Sequence, residues 1–191
     1  MEIKEDRRIR KTRNILKSSL AELMKEKDFK DITVKDIAER ADINRGTFYL
    51  HYKDTYDLLE KVEDEIILEF QAMIDMYKPK TTITTLLPIL EPIVDYIIKN
   101  ETICFSLFEN QSNSNFLYKF RKLISKNGAE FIPEKFPNYN KDIYDYYITF
   151  ISFGIWGQIR HWSETYFKLP KKDLVAMVDK IITSAANSVL S

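Results

Sequence analysis

Apolar residues recur every three or four positions along most of the chain, and the period-two alternation of strands is nearly absent. Ile9, Ile15, Leu16, Leu20, Leu23 and Met24 form the stripe of a helix predicted over residues 6–26. "KDFKDI" (27–32) breaks that stripe and offers Phe29 and Ile32 to a core. A short helix follows over 34–41. Thr33 and Asp36 stand before it at capping-box spacing, so that a hydroxyl and a carboxylate each satisfy an orphan backbone N–H. Asp42-Ile43-Asn44 is a turn, and Asn44 is a good N-cap for a second short helix, 45–51. Asp54 opens a long helix ending near Tyr77, before Pro79. Farther on, 82–99 is helical with Pro88 and Pro92 expected to kink or interrupt it. Residues 101–109 and 114–131 are also helical, and 133–140 reads as a loop. Two strong helices, 141–165 and 171–189, close the chain.

Two short helices joined by a tight turn make a helix-turn-helix, whose second helix enters the major groove of DNA. Val34, Ile37, Ala38, Ala41 and Ile43 supply its apolar side, Phe48 and Tyr52 lie on one face of the second helix, and Leu16, Leu20 and Leu23 close the cluster. That leaves Arg45, Gly46, Thr47, Tyr49 and His51 outside. Arg45, in the first turn, can reach guanine O6 and N7 bidentately. Gly46 costs a helix about 1 kcal/mol relative to alanine, tolerable where a side chain would meet DNA. Thr47 suits a base edge or a phosphate, Thr33 at a helix N-terminus a phosphate, and Tyr49, His51 and Lys53 phosphates that fix register. Asn44 and Tyr52, which flank this helix, complete the DNA-binding set. The same residues fit a solvated helix start, with Tyr49 half-buried.

Charge sharpens this picture. Net charge over 191 residues is zero, but Lys and Arg outnumber Asp and Glu by 14 to 10 up to Lys53 and are outnumbered 15 to 19 beyond it. "RRIRKTR" (7–13) is the densest basic run. The N-terminus is charged from Glu2 onward, no apolar run reaches membrane-span length, and the single Cys104 fits a reducing cytosol. A cytoplasmic protein without a membrane partner is expected. Catalysis lacks a site: His51 and His161 stand apart, and no HExxH, GxSxG, Walker A or GxGxxG occurs. Neither a metal nor a cofactor is expected.

"DITVKDIAERADINRGTFYLHYKDTYDLLEKV" (31–62) resembles the N-terminal domain of the TetR family of bacterial transcriptional regulators, over about residues 8–62. The resemblance implies an all-α chain. Residues 1–53 would be a three-helix DNA-binding domain, joined by a long helix to an all-helical ligand-binding and dimerisation domain over 54–191. It further implies a homodimer on a pseudo-palindromic operator, usually a repressor released by a small molecule. A coactivator of a metabolic operon on the same fold is the alternative. One departure is Thr55, where the family usually carries a phosphate-touching lysine; Lys53 would substitute. "FGIWGQIRHWSE" (153–164) and "LPKKDLVAMV" (169–178) are similar to a subgroup that includes regulators related to the dihydroxyacetone kinase activator.

In the family the last two helices build a four-helix bundle with their symmetry mates. Gly154 and Gly157 share a helix face that permits close contact, and Trp156, Trp162 and Arg160 lie nearby. Leu174, Met177, Val178, Ile181 and Ala185 supply the stripe of the last helix. All of these would fit a monomer core as well. For an effector, Phe70, Met73, Tyr96, Phe105, Phe108, Phe120, Tyr147, Phe150 and Phe153 could line an apolar pocket, or simply be core. The effector's identity is not legible.

Overall fold

The computed structural model describes residues 7–77, 85–109 and 114–191, and among them the chain is all-helical, without a strand. Nine α-helices are described: α1 Arg7–Glu26, α2 Val34–Arg40, α3 Arg45–Tyr49, α4 Thr55–Tyr77, α5 Leu87–Lys99, α6 Glu101–Glu109, α7 Ser114–Lys135, α8 Lys141–Glu164 and α9 Lys171–Val189. They divide into two compact units. The head holds the chain up to Glu65 together with α6; the body holds Ile66–Asn100 and the chain from α7 onward. The division therefore falls inside α4, beyond the boundary expected after Lys53, and α6 returns to the head. The reason is burial. Leu16, Leu20, Ala21 and Leu23 leave α1 an apolar side, and α6 covers it with Ile103, Cys104, Leu107 and Phe108, all buried. The Ser106 hydroxyl donates to the Ala21 carbonyl at 3.0 Å. Burial pushes the Cys104 thiol up to about 12, so it stays protonated and unreactive.

Local chemistry sets the ends of α2 and α3. Thr33 and Asp36 form the expected capping box: Asp36 N–H donates to Thr33 Oγ1 at 3.2 Å, and Thr33 N–H to Asp36 Oδ2 at 2.8 Å. At the other end Asp42 adopts φ 52°, a left-handed turn that aspartate tolerates better than most residues. Ile43 N–H then reaches the Ala38 carbonyl at 3.0 Å and Asp42 N–H the Glu39 carbonyl at 3.2 Å, the two bonds of a Schellman stop. Asn44 caps α3 by accepting from Gly46 N–H at 2.8 Å. Asp54 caps α4 through Asp57 N–H at 2.8 Å. Phe29 sits in a 3-10 turn with its ring edge-on to Tyr56 at 5.0 Å, and Ile32 is buried.

In the body, α5 tolerates both prolines. Pro88 sits in the first turn, where no N–H is needed, and Pro92 removes a single bond from its N-terminal half. α7 runs through Pro133 to Lys135, longer than expected, because a proline this close to a helix end again removes only one bond. Residues 82–84, expected in the helix that became α5, lie outside the described residues. Two buried clusters hold the unit together. Phe136, Tyr144, Tyr147, Ile148, Ile151, Ile182, Ala186 and Leu190 make one, and Val94, Trp162, Leu174 and Val175 the other. Gly128 sets the distance between α7 and α8. A Cβ there would stand 2.7 Å from Tyr144 Oη, whose hydroxyl donates to the Ser125 carbonyl at 2.8 Å.

Candidate functional site

The outer surface of α3 is small and chemically distinct. Phe48 is fully buried and anchors the helix, with Tyr49 edge-on to it at 5.6 Å and Tyr52 tilted against it at 5.8 Å. Arg45 and Gly46 are exposed and Thr47 is half-buried. Tyr49 is 56% exposed, so one side of its ring lies at the surface. Leu50, absent from the expected set, is 82% exposed at the end of the helix. Its position four residues after Gly46 was the available signal. Gly46 has no structural justification within the fold, since a Cβ there would only touch Asn44 Oδ1 at 3.4 Å.

Around this tip the other expected residues fall into two groups. Lys53 is exposed and His51 half-buried, both within reach of solvent. Tyr52 is a correction, and Thr33 doubles as a cap. Thr33 is exposed, but Asp36 already engages its N–H and its hydroxyl. Tyr52 is 7% exposed, with the Lys61 ammonium 5.2 Å from its ring centroid. Tyr52 braces the motif from beneath by filling core, whereas Thr33 caps α2 from the surface. Asn44 spends its carboxamide oxygen on the cap. Thr55 is also buried, which leaves Lys53 as the cation at the start of α4.

Electrostatics stiffen the same motif. Lys27 donates to Asp36 at 2.8 Å; that bond, with the two donors of Thr33, holds the Asp36 carboxyl far below the usual carboxylate range. Asp57 is lowered by Lys61 at 2.9 Å and by the Lys53 N–H at 2.9 Å. Arg40 grips Glu26 at 2.7 Å and Glu22 at 3.3 Å, tying α2 to the end of α1. Arg7, Arg10 and Lys11 line a polar concavity along α1 that reaches Glu22 and Arg40.

The body holds a cavity of about 220 Å³ walled by α4, α5, α7, α8 and α9. Of the expected aromatics, Phe70, Phe120 and Tyr147 line it. The others do not. Phe105 and Phe108 are core residues of the head. Tyr96 backs Phe70 at 5.7 Å from outside the wall, and Met73 also lies off it. Phe150 and Phe153 are 68% and 56% exposed, on the outer side of α8. Isoleucine is the commonest wall residue, and the spacing Ile148, Ile151, Ile155, Ile159 was the signal that aromatic residues obscured.

On α8 and α9 the residues expected at a dimer face separate. Gly154 and Gly157 are exposed, with open space beyond each. Ile181 is 44% exposed, and Met177, Val178 and Ala185 are half-buried. Leu174 is core, at 3% exposure, and is withdrawn from that face. Trp156 turns inward onto Phe116 and Phe120 of α7, at 5.8 and 6.3 Å. Trp162 is buried and donates to the Leu169 carbonyl at 2.7 Å. Arg160 is spent on Glu164 at 2.8 Å. No His/Cys/Asp/Glu cluster suited to a metal occurs among the described residues, and no described helix is long and apolar enough to cross a membrane.

Residues 18–62 match the family model described as bacterial regulatory proteins, tetR family, and residues 84–184 match that of a transcriptional regulator C-terminal region. Over 51 residues the chain is 39% identical to an uncharacterised HTH-type transcriptional regulator, YxbF, of Bacillus subtilis; the match spans 27% of this chain and 13% of that protein. Its fold is similar to that of a TetR transcriptional regulator from Streptococcus agalactiae, with 22% identity, TM-score 0.66, and 93% and 97% of the two chains covered. It is also similar to the dihydroxyacetone kinase operon activator DhaS, with 18% identity, TM-score 0.59, and 94% and 98% covered. At such identities the likeness is one of fold.

Proposed function

Since the chain belongs to the TetR family of DNA-binding transcriptional regulators, with a family model matching residues 84–184, we propose that it acts as a homodimeric, ligand-responsive repressor on a pseudo-palindromic operator. It is a regulator and not an enzyme. The observation that carries the reading is Gly46: a helix-weakening residue that the fold does not require, set between an exposed Arg45 and a half-buried Thr47. That arrangement suits a helix whose start must approach base edges closely. In this reading Arg45 and Thr47 read bases, while Tyr49, His51 and Lys53 hold phosphates. Thr33, Asn44 and Tyr52 keep the motif rigid.

Dimerisation is supported by the outer face of α8. Tyr146, Phe150, Phe153 and Gly157 follow one another at helical spacing, and the three rings are more than half exposed. Ile181 and Ala185 would extend the face on α9. Effector control is supported by the concave, apolar character of the body's cavity.

Selection of bound duplexes from a random pool by the purified protein tests the whole reading. A two-fold symmetric consensus with half-sites at helical spacing is expected. Salt-sensitive binding without any consensus would refute it. Transcription from a promoter carrying the selected site then separates repressor from activator: repression is expected, relieved by the effector.

A further inference from the structure

The body's cavity is long for its volume. A sphere of 220 Å³ would be about 7.5 Å across, less than one and a half turns of helix. The walls instead run from Tyr147 to Ile159 on α8 and from Leu174 to Ala186 on α9, about 18 Å each at 1.5 Å per residue. That volume against so much wall describes an elongated channel, suited to a chain. Of its four uncharged polar side chains, Gln158 is half-buried and the other three are already engaged. Tyr147 donates to the Ile182 carbonyl at 3.0 Å, Asn127 to the Leu123 carbonyl at 2.8 Å, and Thr183 to the Asp179 carbonyl at 2.8 Å. No buried side-chain nitrogen or oxygen among the described residues lacks a partner. A polar group pushed into the channel would therefore lose its water without replacement.

Two charged residues line the rim, Glu134 and Lys135. Lys135 is exposed, and its ammonium lies 5.3 Å from the ring centroid of Phe136, itself a wall residue. No carboxylate among the described residues stands within ion-pair distance of it.

We propose that the channel takes the straight aliphatic tail of an anionic single-chain amphiphile, its head resting at the rim beside Lys135. The inference rests on the reading of the body as an effector domain and names the chemical class of that effector. At roughly 30 Å³ per small group, water's share of its liquid, the channel holds about seven chain atoms. The best tail is then about eight to ten carbons long, with the last few at the rim. Each methylene up to that length should tighten binding about four-fold.

Calorimetric titration of the full chain with straight-chain carboxylates of six to fourteen carbons, below their micelle concentrations, tests this without DNA. One molecule per chain is expected, with affinity rising to a plateau near decanoate. Lys135→Glu should weaken decanoate at least ten-fold and leave decanol unchanged. Ile155→Trp, which fills the channel, should abolish both; circular dichroism shows whether that variant folds, and Lys135→Glu carries the test if it does not. No saturable binding of any carboxylate would overturn the proposal, as would decyltrimethylammonium binding more tightly than decanoate. Release of the selected operator is measured separately. Decanoate that binds but leaves the operator occupied supports the ligand class and removes the regulatory reading, whereas operator release by an unrelated molecule, with no carboxylate bound, removes the ligand class alone.

Discussion

Gly46 is where sequence cost and function meet at the smallest scale. A glycine in a helix costs up to about 1 kcal/mol relative to alanine, and nothing in the head needs the missing side chain. Gly46→Ala should therefore raise the stability of the head by about 0.5–1 kcal/mol in urea unfolding and weaken operator binding about ten-fold. A stabilised variant with unchanged affinity would mean that DNA does not approach this position. The sequence already marked Arg45, Gly46 and Tyr49 as outward, because the alternation of Phe48 and Tyr52 with them leaves only one face for a core. It did not separate Tyr52 from the contact set. Whether a ring beside an exposed helix face is buried depends on its three-dimensional neighbours, here Phe48 and Lys61.

At the scale of elements, the caps carry most of what was legible. Thr33, Asp36, Asn44 and Asp54 fix their helix starts through bonds between residues two or three apart, so local spacing was enough to find them. Asp36 also gives the head a pH signature. Its carboxyl lies below its ordinary value of 3.8 in the folded state, chiefly through Lys27, so its contribution is complete above that value and is lost as pH falls from there toward the folded value. Unfolding of wild type and Asp36→Asn from neutral pH to about pH 3 should show a constant gap that narrows only at the acid end. A gap that persists undiminished at the acid end would contradict the assigned role. What local spacing missed was non-local. α6 belongs to the head because α1 has an uncovered apolar side, and the close approach of α7 and α8 falls at Gly128, not at Gly154 or Gly157. A glycine on a helix looks the same in sequence whether a neighbouring ring or open solvent stands over it.

For the whole molecule, the shift in charge and the change in motif suggested a head and a body, but the use of the aromatic residues was not legible. Helical periodicity assigns residues to faces without saying which face meets the core, the cavity or a second copy. Phe120 and Phe150 went to opposite fates for that reason. Under the dimer reading, the outward rings of α8 are the partner face, and Phe153→Asp should leave a folded monomer in analytical ultracentrifugation. The same variant should lose preference for a symmetric site over a half-site. A Phe153→Asp chain that remained dimeric would move the interface elsewhere. One measurement bears most directly on whether α3 reads base pairs. Affinity for the selected duplex, and for duplexes changed one base pair at a time, is compared between wild type and Arg45→Ala at fixed salt. Wild type should lose about 1–3 kcal/mol on replacement of one guanine in each half-site, and Arg45→Ala should be indifferent to that replacement while still discriminating elsewhere. An Arg45→Ala protein that kept full discrimination at every position would contradict the account.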